Sequence, residues 1–374
     1  MKLIFSSNSS WSVYNFRGNL LKKLSTLGFD IVIIAPEGPY LAKLGDLGYT
    51  TIAIDIDNSS RSVLANLKLL RDYFLLYKKE KPDLVLHNAV KPNIYGAVIC
   101  RILKIPVINN ISGIGAIFMS GGLSSALGKV LYRVSQKKVQ TVFLQNPTDY
   151  KLFIDNKLIS TQQGKIIPGS GVDIDRFKPV KIEREDSTIK FCFVGRLIGD
   201  KGIYEFIEAA KKAKRENLNT AFYILGELYL QHPTAVKQAI LDQWVSEGIV
   251  EFLGKSDEVE KELSQFDCIV LPSYREGLSR VLLEASSMAV PAITSDVPGC
   301  IDVIEHGKNG FICKAKDSAD LYTQMKRFIS LSKEERNKMG AYGRLKIEKE
   351  FDEKIVIEHY LKAITQITST ITNQ

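Results

Sequence analysis

The sequence predicts an α/β protein made of two Rossmann-like domains, each with a parallel sheet, facing each other across a cleft. Three observations carry that expectation. Short apolar runs alternate with helical segments almost throughout, and strands alternating with helices build parallel sheets through right-handed βαβ units. The alternation runs to about Gly171 and then starts afresh. Between the two sets lies PGSGVD (168–173), whose glycines suit a hinge. At 374 residues the chain is long enough for two cores.

The first set of strands reads KLIFSS (2–7), DIVIIAP (30–36), TTIAID (50–55), DLVLHNA (83–89), PVINNIS (106–112), TVFLQN (141–146) and KIIPGSG (165–171). Helical spacing of apolar residues falls over 16–27, 62–80, 93–103 and 122–138. The second set reads IKFCFVG (189–195), AFYILGE (221–227), VEFLG (250–254), CIVLPS (268–273), PAITSD (291–296) and GFICKA (310–315). Its helices are expected at about 202–216, 232–247, 257–265, 279–289 and 317–330. Domains are therefore expected over 1–170 and 171–355, with a last helix over 356–374 packing near the domain junction.

Composition narrows the class. Apolar content of 45% and charged content of 25% are ordinary for a soluble globular chain. Five scattered cysteines fit reduced thiols, not a disulfide framework or a zinc site. The first residues read as a strand, too short in apolar length for a signal peptide, and no run approaches a membrane span. Charge is uneven. Residues 1–172 hold 21 Lys and Arg against 10 Asp and Glu, whereas the remainder holds 29 against 32. A basic first half points to phosphate, nucleic acid or a membrane surface, or simply to solvated lysines.

Ligands of open α/β sheets lie outside the carboxyl ends of the strands. After the strand at 189–195, FCFVGRLIGDKG (191–202) places Gly195, Arg196 and Lys201 in one turn ahead of a helix. Glycines admit a close ligand, the helix start favours anions, and two fixed cations add charge. The turn reads as a phosphate site, with a plain surface turn as the alternative. Further on, YREGLSRVLLEAS (274–286) sets Glu276 before a helix and Glu284 within it. Glu284 falls at the edge of the apolar stripe, so its carboxylate needs a partner. With the nearby amides of Gly277, Leu278 and Ser279, the pair suits a nucleotide-linked polyol. A capping glutamate plus a salt-bridged one is the plainer reading.

On these stretches, and on HNAVKPNIYG (87–96), SGIGAIF (112–118), LQNPTDY (144–150), IPGSGVDIDRF (167–177) and TSDVPGCIDVIEHGKNGF (294–311), the chain resembles the family 4 retaining glycosyltransferases of GT-B fold. The branch it resembles builds capsule, O-antigen and other polyprenyl-diphosphate-linked glycans. Glu, seven residues, Glu, together with GR…KG, is the specific combination. The resemblance implies that Arg196 and Lys201 hold the donor diphosphate, that Glu276 sits at the donor sugar and that Glu284 takes the ribose. It places Gly195 and the amides of Gly277, Leu278 and Ser279 on the donor, and Leu253, Gly254 and Lys255 at the base. It implies a nucleoside-diphosphate sugar, UDP by family habit, as donor, with no cofactor and no metal required. The acceptor it implies is a polyprenyl-diphosphate saccharide, approached from the cytoplasmic face of the membrane.

Acceptor-side candidates in the first half are Asn8, Ser9, Asn88, Lys91, Ser112 and Gly113. Two departures stand out there. The first loop carries Ser-Asn-Ser-Ser where many relatives have a glycine pair, and Ser112 stands where many have a histidine. His87 reads better as a satisfied strand-end residue than as a ligand. The Asp-x-Asp pairs Asp55/Asp57 and Asp173/Asp175 are too weak a motif to argue for a metal. Among other readings, a sugar-nucleotide 2-epimerase shares the architecture but leaves the glutamate pair unexplained. A nucleic-acid binder would need a stacking platform that the sequence does not show. A dehydrogenase would need a third glycine after GIG (113–115).

Finally, Leu123, Ala126, Leu127, Val130, Leu131 and Val134 recur at helical spacing, bordered by Lys129, Arg133 and Lys137. The stripe itself is expected to pack under the first sheet. The cationic border, with the apolar loop Ile117, Phe118 and Met119, is expected to meet an anionic membrane surface.

Overall fold

The structure is a computed structural model that describes residues 1–57, 62–113, 122–180 and 187–372, apart from the side chains of 122–124 and 370–372. It divides into two compact units, Met1–Ser170 with Lys354–Gln374, and Gly171–Glu353.

In the first unit seven strands run parallel: β1 (Lys2–Ser7), β2 (Asp30–Ala35), β3 (Thr50–Ala53), β4 (Leu84–Asn88), β5 (Val107–Ile111), β6 (Thr141–Leu144) and β7 (Gly164–Ile166). Their order is β3-β2-β1-β4-β5-β6-β7. Helices cover both faces, which is why the strands read as unbroken apolar runs. Side chains alternate along β1, so Leu3 and Phe5 enter one core and Ile4 the other. The first core takes Val13, Leu20 and Leu41 from helices Ser10–Thr26 and Pro39–Asp46. It also takes Val356, Tyr360 and Ile364 from the last helix, Glu353–Thr372. Tyr360 is anchored there twice, since its hydroxyl accepts from Asn110 Nδ2 at 2.8 Å and its ring lies 4.8 Å from Phe143. The second core holds Tyr73, Tyr77, Tyr132 and Phe153 from the helices on the opposite face.

The second unit carries six parallel strands: β8 (Ile189–Val194), β9 (Thr220–Leu225), β10 (Glu251–Gly254), β11 (Cys268–Leu271), β12 (Ala292–Ser295) and β13 (Gly310–Cys313). Their order, β10-β9-β8-β11-β12-β13, reverses direction between β8 and β11. All five cysteines are free and buried.

Several helices escape the periodicity reading. Helix Ser10–Thr26 begins six residues before the expected start, because Ser9 caps it by accepting from Ser12 N at 3.2 Å. Pro39 and Pro147 open two short helices at the position where a missing N–H costs nothing. Lys333–Glu350 opens on a capping box between Ser332 and Glu335.

One expectation is corrected. In helix Gly122–Ser135, Leu127, Val130 and Val134 are exposed, so these members of the stripe do not pack under the sheet, and the side chain of Leu123 lies outside the described residues. The helix turns the larger Tyr132 inward instead, 5.2 Å edge-on to Phe153, with Leu131 half-buried beside it. The loop residues Ile117, Phe118 and Met119 lie outside the described residues.

His87 is a core residue. Its Nε2 meets Tyr77 Oη at 2.8 Å and its Nδ1 meets Asn109 Oδ1 at 2.9 Å. Burial lowers its pKa from 6.5 to about 4, the Asn109 bond opposing only in part. An unfolded chain therefore takes up a proton at this residue between pH 6.5 and 4 that the folded chain refuses. Stability from this group is complete above 6.5 and falls as the pH drops towards 4. Denaturant titrations of wild type and His87→Gln should show their stability gap narrowing across that window, by up to about 1.4 kcal/mol per pH unit. A gap independent of pH would contradict the buried neutral ring.

Candidate functional site

The reversal of strand order between β8 and β11 marks where an open α/β sheet receives ligands. At the carboxyl edge three neighbouring strands, β8, β9 and β10, run out into Gly195, Gly226 and Gly254. A Cβ on Gly226 would stand 1.9 Å from the Gly195 carbonyl oxygen, so that position excludes any side chain. Gly195 has φ +151°, and a Cβ there would meet nothing within 4 Å. The edge is thus a bare backbone floor open to a close ligand.

Lys201 ends the turn that follows β8, and Gly202, with φ +76°, passes the chain into helix Ile203–Arg215. A Cβ on Gly202 would fall 2.1 Å from the Pro272 carbonyl oxygen. That close approach seats the turn against the loop after β11. Across the two loops Lys201 Nζ and Glu276 Oε1 form an ion pair, both side chains largely shielded from solvent. Ser273 Oγ donates to the same carboxylate oxygen at 2.7 Å. Two more bonds lock the loops together. Tyr274 N donates to Asp200 O at 2.9 Å, and Tyr274 Oη donates to Glu205 Oε1 at 2.7 Å. Burial and the Glu205 bond push the tyrosine hydroxyl well above its ordinary pKa, so it stays a donor.

Glu284 occupies a different setting. It lies on the buried side of helix Arg280–Ser287, only 6% exposed, and its Oε1 accepts from Arg280 Nε at 2.7 Å. Burial raises its pKa, while Arg280 and Arg176 oppose the rise. Arg280 also bonds the Gly171 carbonyl and lies 5.9 Å from the Phe177 ring, which brings the GVDIDRF segment around this carboxylate.

The remaining candidates spread around the same edge. Arg196 is exposed, with its guanidinium 5.0 Å over the Tyr229 ring. Lys255 pairs with Glu227 at 3.3 Å beyond the ends of β10 and β9, next to Leu253 and Gly254. Ser279 N donates to Gly299 O at 2.9 Å, so that amide is engaged inside the protein.

In the first unit Asn8, Ser9, Asn88, Lys91, Ser112 and Gly113 lie at or just after the ends of β1, β4 and β5, which are neighbours in the sheet. Asn88 Nδ2 reaches Ser7 Oγ at 3.4 Å, while its buried Oδ1 finds no partner among the described residues. Lys91 Nζ donates to Asn66 Oδ1 at 3.2 Å, and burial lowers its pKa. Ser9 serves as a helix cap, and Gly113 takes φ +137°. Among the described residues no group of three or more His, Cys, Asp or Glu side chains is placed to hold a metal. Asp173 instead caps a turn, accepting from the amides of Asp175 and Arg176 at 3.0 Å each. Arg133, of the expected cationic border, donates to the Asn156 carbonyl at 3.0 Å.

Sequence reasoning missed Ser273, Tyr274, Glu205 and Arg280. Only Arg280 left a signal, because it stands four residues before Glu284 on one helix.

Two family models match the chain: "Glycosyl transferases group 1" over residues 175–346 and "Glycosyl transferase 4-like" over residues 2–146. A Campylobacter jejuni N,N'-diacetylbacillosaminyl-diphospho-undecaprenol alpha-1,3-N-acetylgalactosaminyltransferase is 26% identical over 99% of this chain and 100% of its own. An Escherichia coli UDP-Gal:alpha-D-GlcNAc-diphosphoundecaprenol alpha-1,3-galactosyltransferase is 26% identical over 77% of each chain. Among solved structures, Anabaena HepE in complex with UDP superposes with TM-score 0.76 at 18% identity over 100% of both chains. Sucrose-phosphate synthase from Thermosynechococcus elongatus gives 0.79 at 14% identity, over 99% of this chain and 100% of that one. These likenesses establish the fold.

The Tyr274–Glu205 bond can be weighed on its own. Glu205 Oε2 is already buried without a partner among the described residues, so removing the tyrosine hydroxyl strips the carboxylate further. Tyr274→Phe should cost about 1–3 kcal/mol of stability. In a double-mutant cycle with Glu205→Ala the two costs should be less than additive by about 1 kcal/mol. Strict additivity would mean that the bond holds nothing in place.

Proposed function

The chain belongs to the family 4 type of GT-B glycosyltransferases, and from that premise we propose that it transfers a glycosyl residue from a UDP-sugar to a polyprenyl-diphosphate-linked saccharide, with retention of configuration. The observation that carries the donor side is the Lys201–Glu276 pair at the strand reversal, beside the backbone floor of Gly195 and Gly254. An ammonium has three donors, so Lys201 can hold Glu276 and a diphosphate oxygen together. Arg196, on the same turn, adds a second cation.

In the proposed reaction the bond from the anomeric carbon to the diphosphate oxygen breaks, and an acceptor hydroxyl bonds to that carbon on the same face. Its proton passes to the departing phosphate. Negative charge grows on the diphosphate as it leaves, and fixed cations stabilise that charge more than they stabilise the bound donor. Glu276 acts at the sugar. Glu284, with Arg280 as its counter-charge, serves the ribose, and Leu253, Gly254 and Lys255 border the base. Gly277, Leu278 and Ser279 form the turn at the sugar and phosphate. The positive charge comes from the protein, so the reading requires no metal or other cofactor.

The first unit takes the acceptor at the edge formed by Asn8, Ser9, Asn88, Lys91, Ser112 and Gly113. The names of the two relatives, both diphospho-undecaprenol enzymes of bacteria, support this acceptor, and one of them names UDP-Gal as donor. No described helix is long and apolar enough to cross a membrane. Because its acceptor is lipid-linked, the reading puts the enzyme at the inner membrane surface as a peripheral protein, in surface-glycan assembly.

Two measurements test the assignment. Arg196→Ala and Lys201→Ala should each lower turnover by roughly two orders of magnitude while the fold persists. Normal turnover in both would remove the diphosphate from this turn. Separately, Glu284→Gln should weaken binding of free UDP by calorimetry, because ribose contacts are shared by ground and transition states. Glu276→Gln should leave UDP binding nearly intact and lower the chemical step. Equal losses of UDP affinity would contradict the division of roles.

A further inference from the structure

Three helices of the first unit, Val63–Glu80, Ala97–Leu103 and Gly122–Ser135, pack side by side on one face of its sheet. Their inward faces are ordinary, and Leu69, Tyr73 and Tyr77 on the first of them, one turn apart, enter the core. Their outward faces are not. On the same helix Leu64, Leu67 and Leu75 stand opposite that buried line and are exposed, Leu64 to 79%. Spaced three and four residues apart, they form a single stripe with Arg71 and Lys78. Ile102 continues the apolar surface on the second helix, and Leu127, Val130 and Val134 on the third. Of the thirteen large apolar side chains exposed in the described part of this unit, eight lie on this one layer.

Charge follows the same surface. Segments 63–81, 97–104 and 122–138 together hold 11 Lys and Arg against 2 Asp and Glu, and one of those acids, Glu80, is bonded to Lys2 at 2.8 Å. The layer therefore accounts for most of the basic excess of the first half. Some of this charge is structural, because Arg101 donates to the Val134 carbonyl and Arg133 to that of Asn156. Arg71, Lys78, Lys79 and Lys104 stay exposed.

We propose that the outer face of this three-helix layer, centred on the Leu64–Leu67–Arg71–Leu75–Lys78 stripe, is the surface by which the protein docks on an anionic lipid bilayer. The pattern selects that occupant. Charged side chains are depleted from the cores of protein interfaces, whereas here Arg71 and Lys78 stand among the leucines along one line, with Lys79 and Lys104 exposed beside them. At a bilayer surface the leucines enter the headgroup and acyl boundary while the cations meet lipid phosphates. This extends the acceptor reading, which places the substrate's lipid anchor in the same bilayer, but the surface is defined without reference to transfer.

The test uses the full chain and vesicles free of any acceptor. Wild type should co-sediment with phosphatidylglycerol-containing vesicles at low salt and not with pure phosphatidylcholine, and 1 M salt should release it. Leu64→Ser/Leu67→Ser/Leu75→Ser should lower the partition coefficient about tenfold or more. Arg71→Glu/Lys78→Glu should lower it about thirtyfold or more. Both sets are on exposed positions, so the thermal midpoint should not move. Wild type that ignores anionic vesicles, or variants that sediment like wild type, would overturn the proposal. So would a dimer in solution that these variants dissociate. Transfer to a short-chain, water-soluble acceptor keeps the two readings apart. If wild type fails there yet binds vesicles, the acceptor reading falls and the docking surface stands.

Discussion

The ion pair between Lys201 and Glu276 is the contact on which the functional edge of the second unit depends. It joins the loop after β8 to the loop after β11, the two strands between which the sheet changes direction. A salt bridge in so shielded a place is costly unless its partners are well satisfied. Ser273 supplies one further bond to the carboxylate, and the Gly202–Pro272 approach fixes the distance between the loops. Tyr274 then ties the same segment to Asp200 and Glu205. A cation and a carboxylate are in this way held by the protein's own contacts at the reversal of strand order, where open α/β sheets receive ligands.

The strands and the order of the motifs were legible in the sequence, because both rest on short-range patterns. Buried parallel strands leave unbroken apolar runs, and the two glutamates stand eight residues apart, one before a helix and one within it. Helix starts were less legible. Ser9 to Ser12 looks like a loop until the Ser9 side chain is seen capping Ser12, and the capping box at Ser332 and Glu335 was visible but passed over. The Arg280 partner of Glu284 could have been read from its spacing. The Tyr274–Glu205 and Lys201–Glu276 bonds could not, since each joins residues about seventy positions apart that only the sheet brings together.

The basic excess of the first half was legible in the sequence, but not where on the surface it falls. The excess of Lys and Arg in the first half was read as a line along residues 129–137, with the neighbouring apolar stripe facing inward. The structure turns Tyr132 inward and leaves Leu127, Val130 and Val134 outside. It also spends Arg101 and Arg133 on the carbonyl ends of neighbouring helices, where cations offset the helix dipole. In helix Val63–Glu80 leucines fall on both faces, and only the structure separates the buried line of Leu69, Tyr73 and Tyr77 from the exposed Leu64, Leu67 and Leu75.

Because an ammonium has three donors, the proposed diphosphate need not displace Glu276 in order to reach Lys201. A crystal structure of the protein with UDP tests this most directly. The account predicts the diphosphate over the Gly195 edge, within hydrogen-bond distance of Lys201 Nζ and Arg196, with the ribose on the Glu284 side. A diphosphate bound elsewhere, with neither cation in reach, would contradict it.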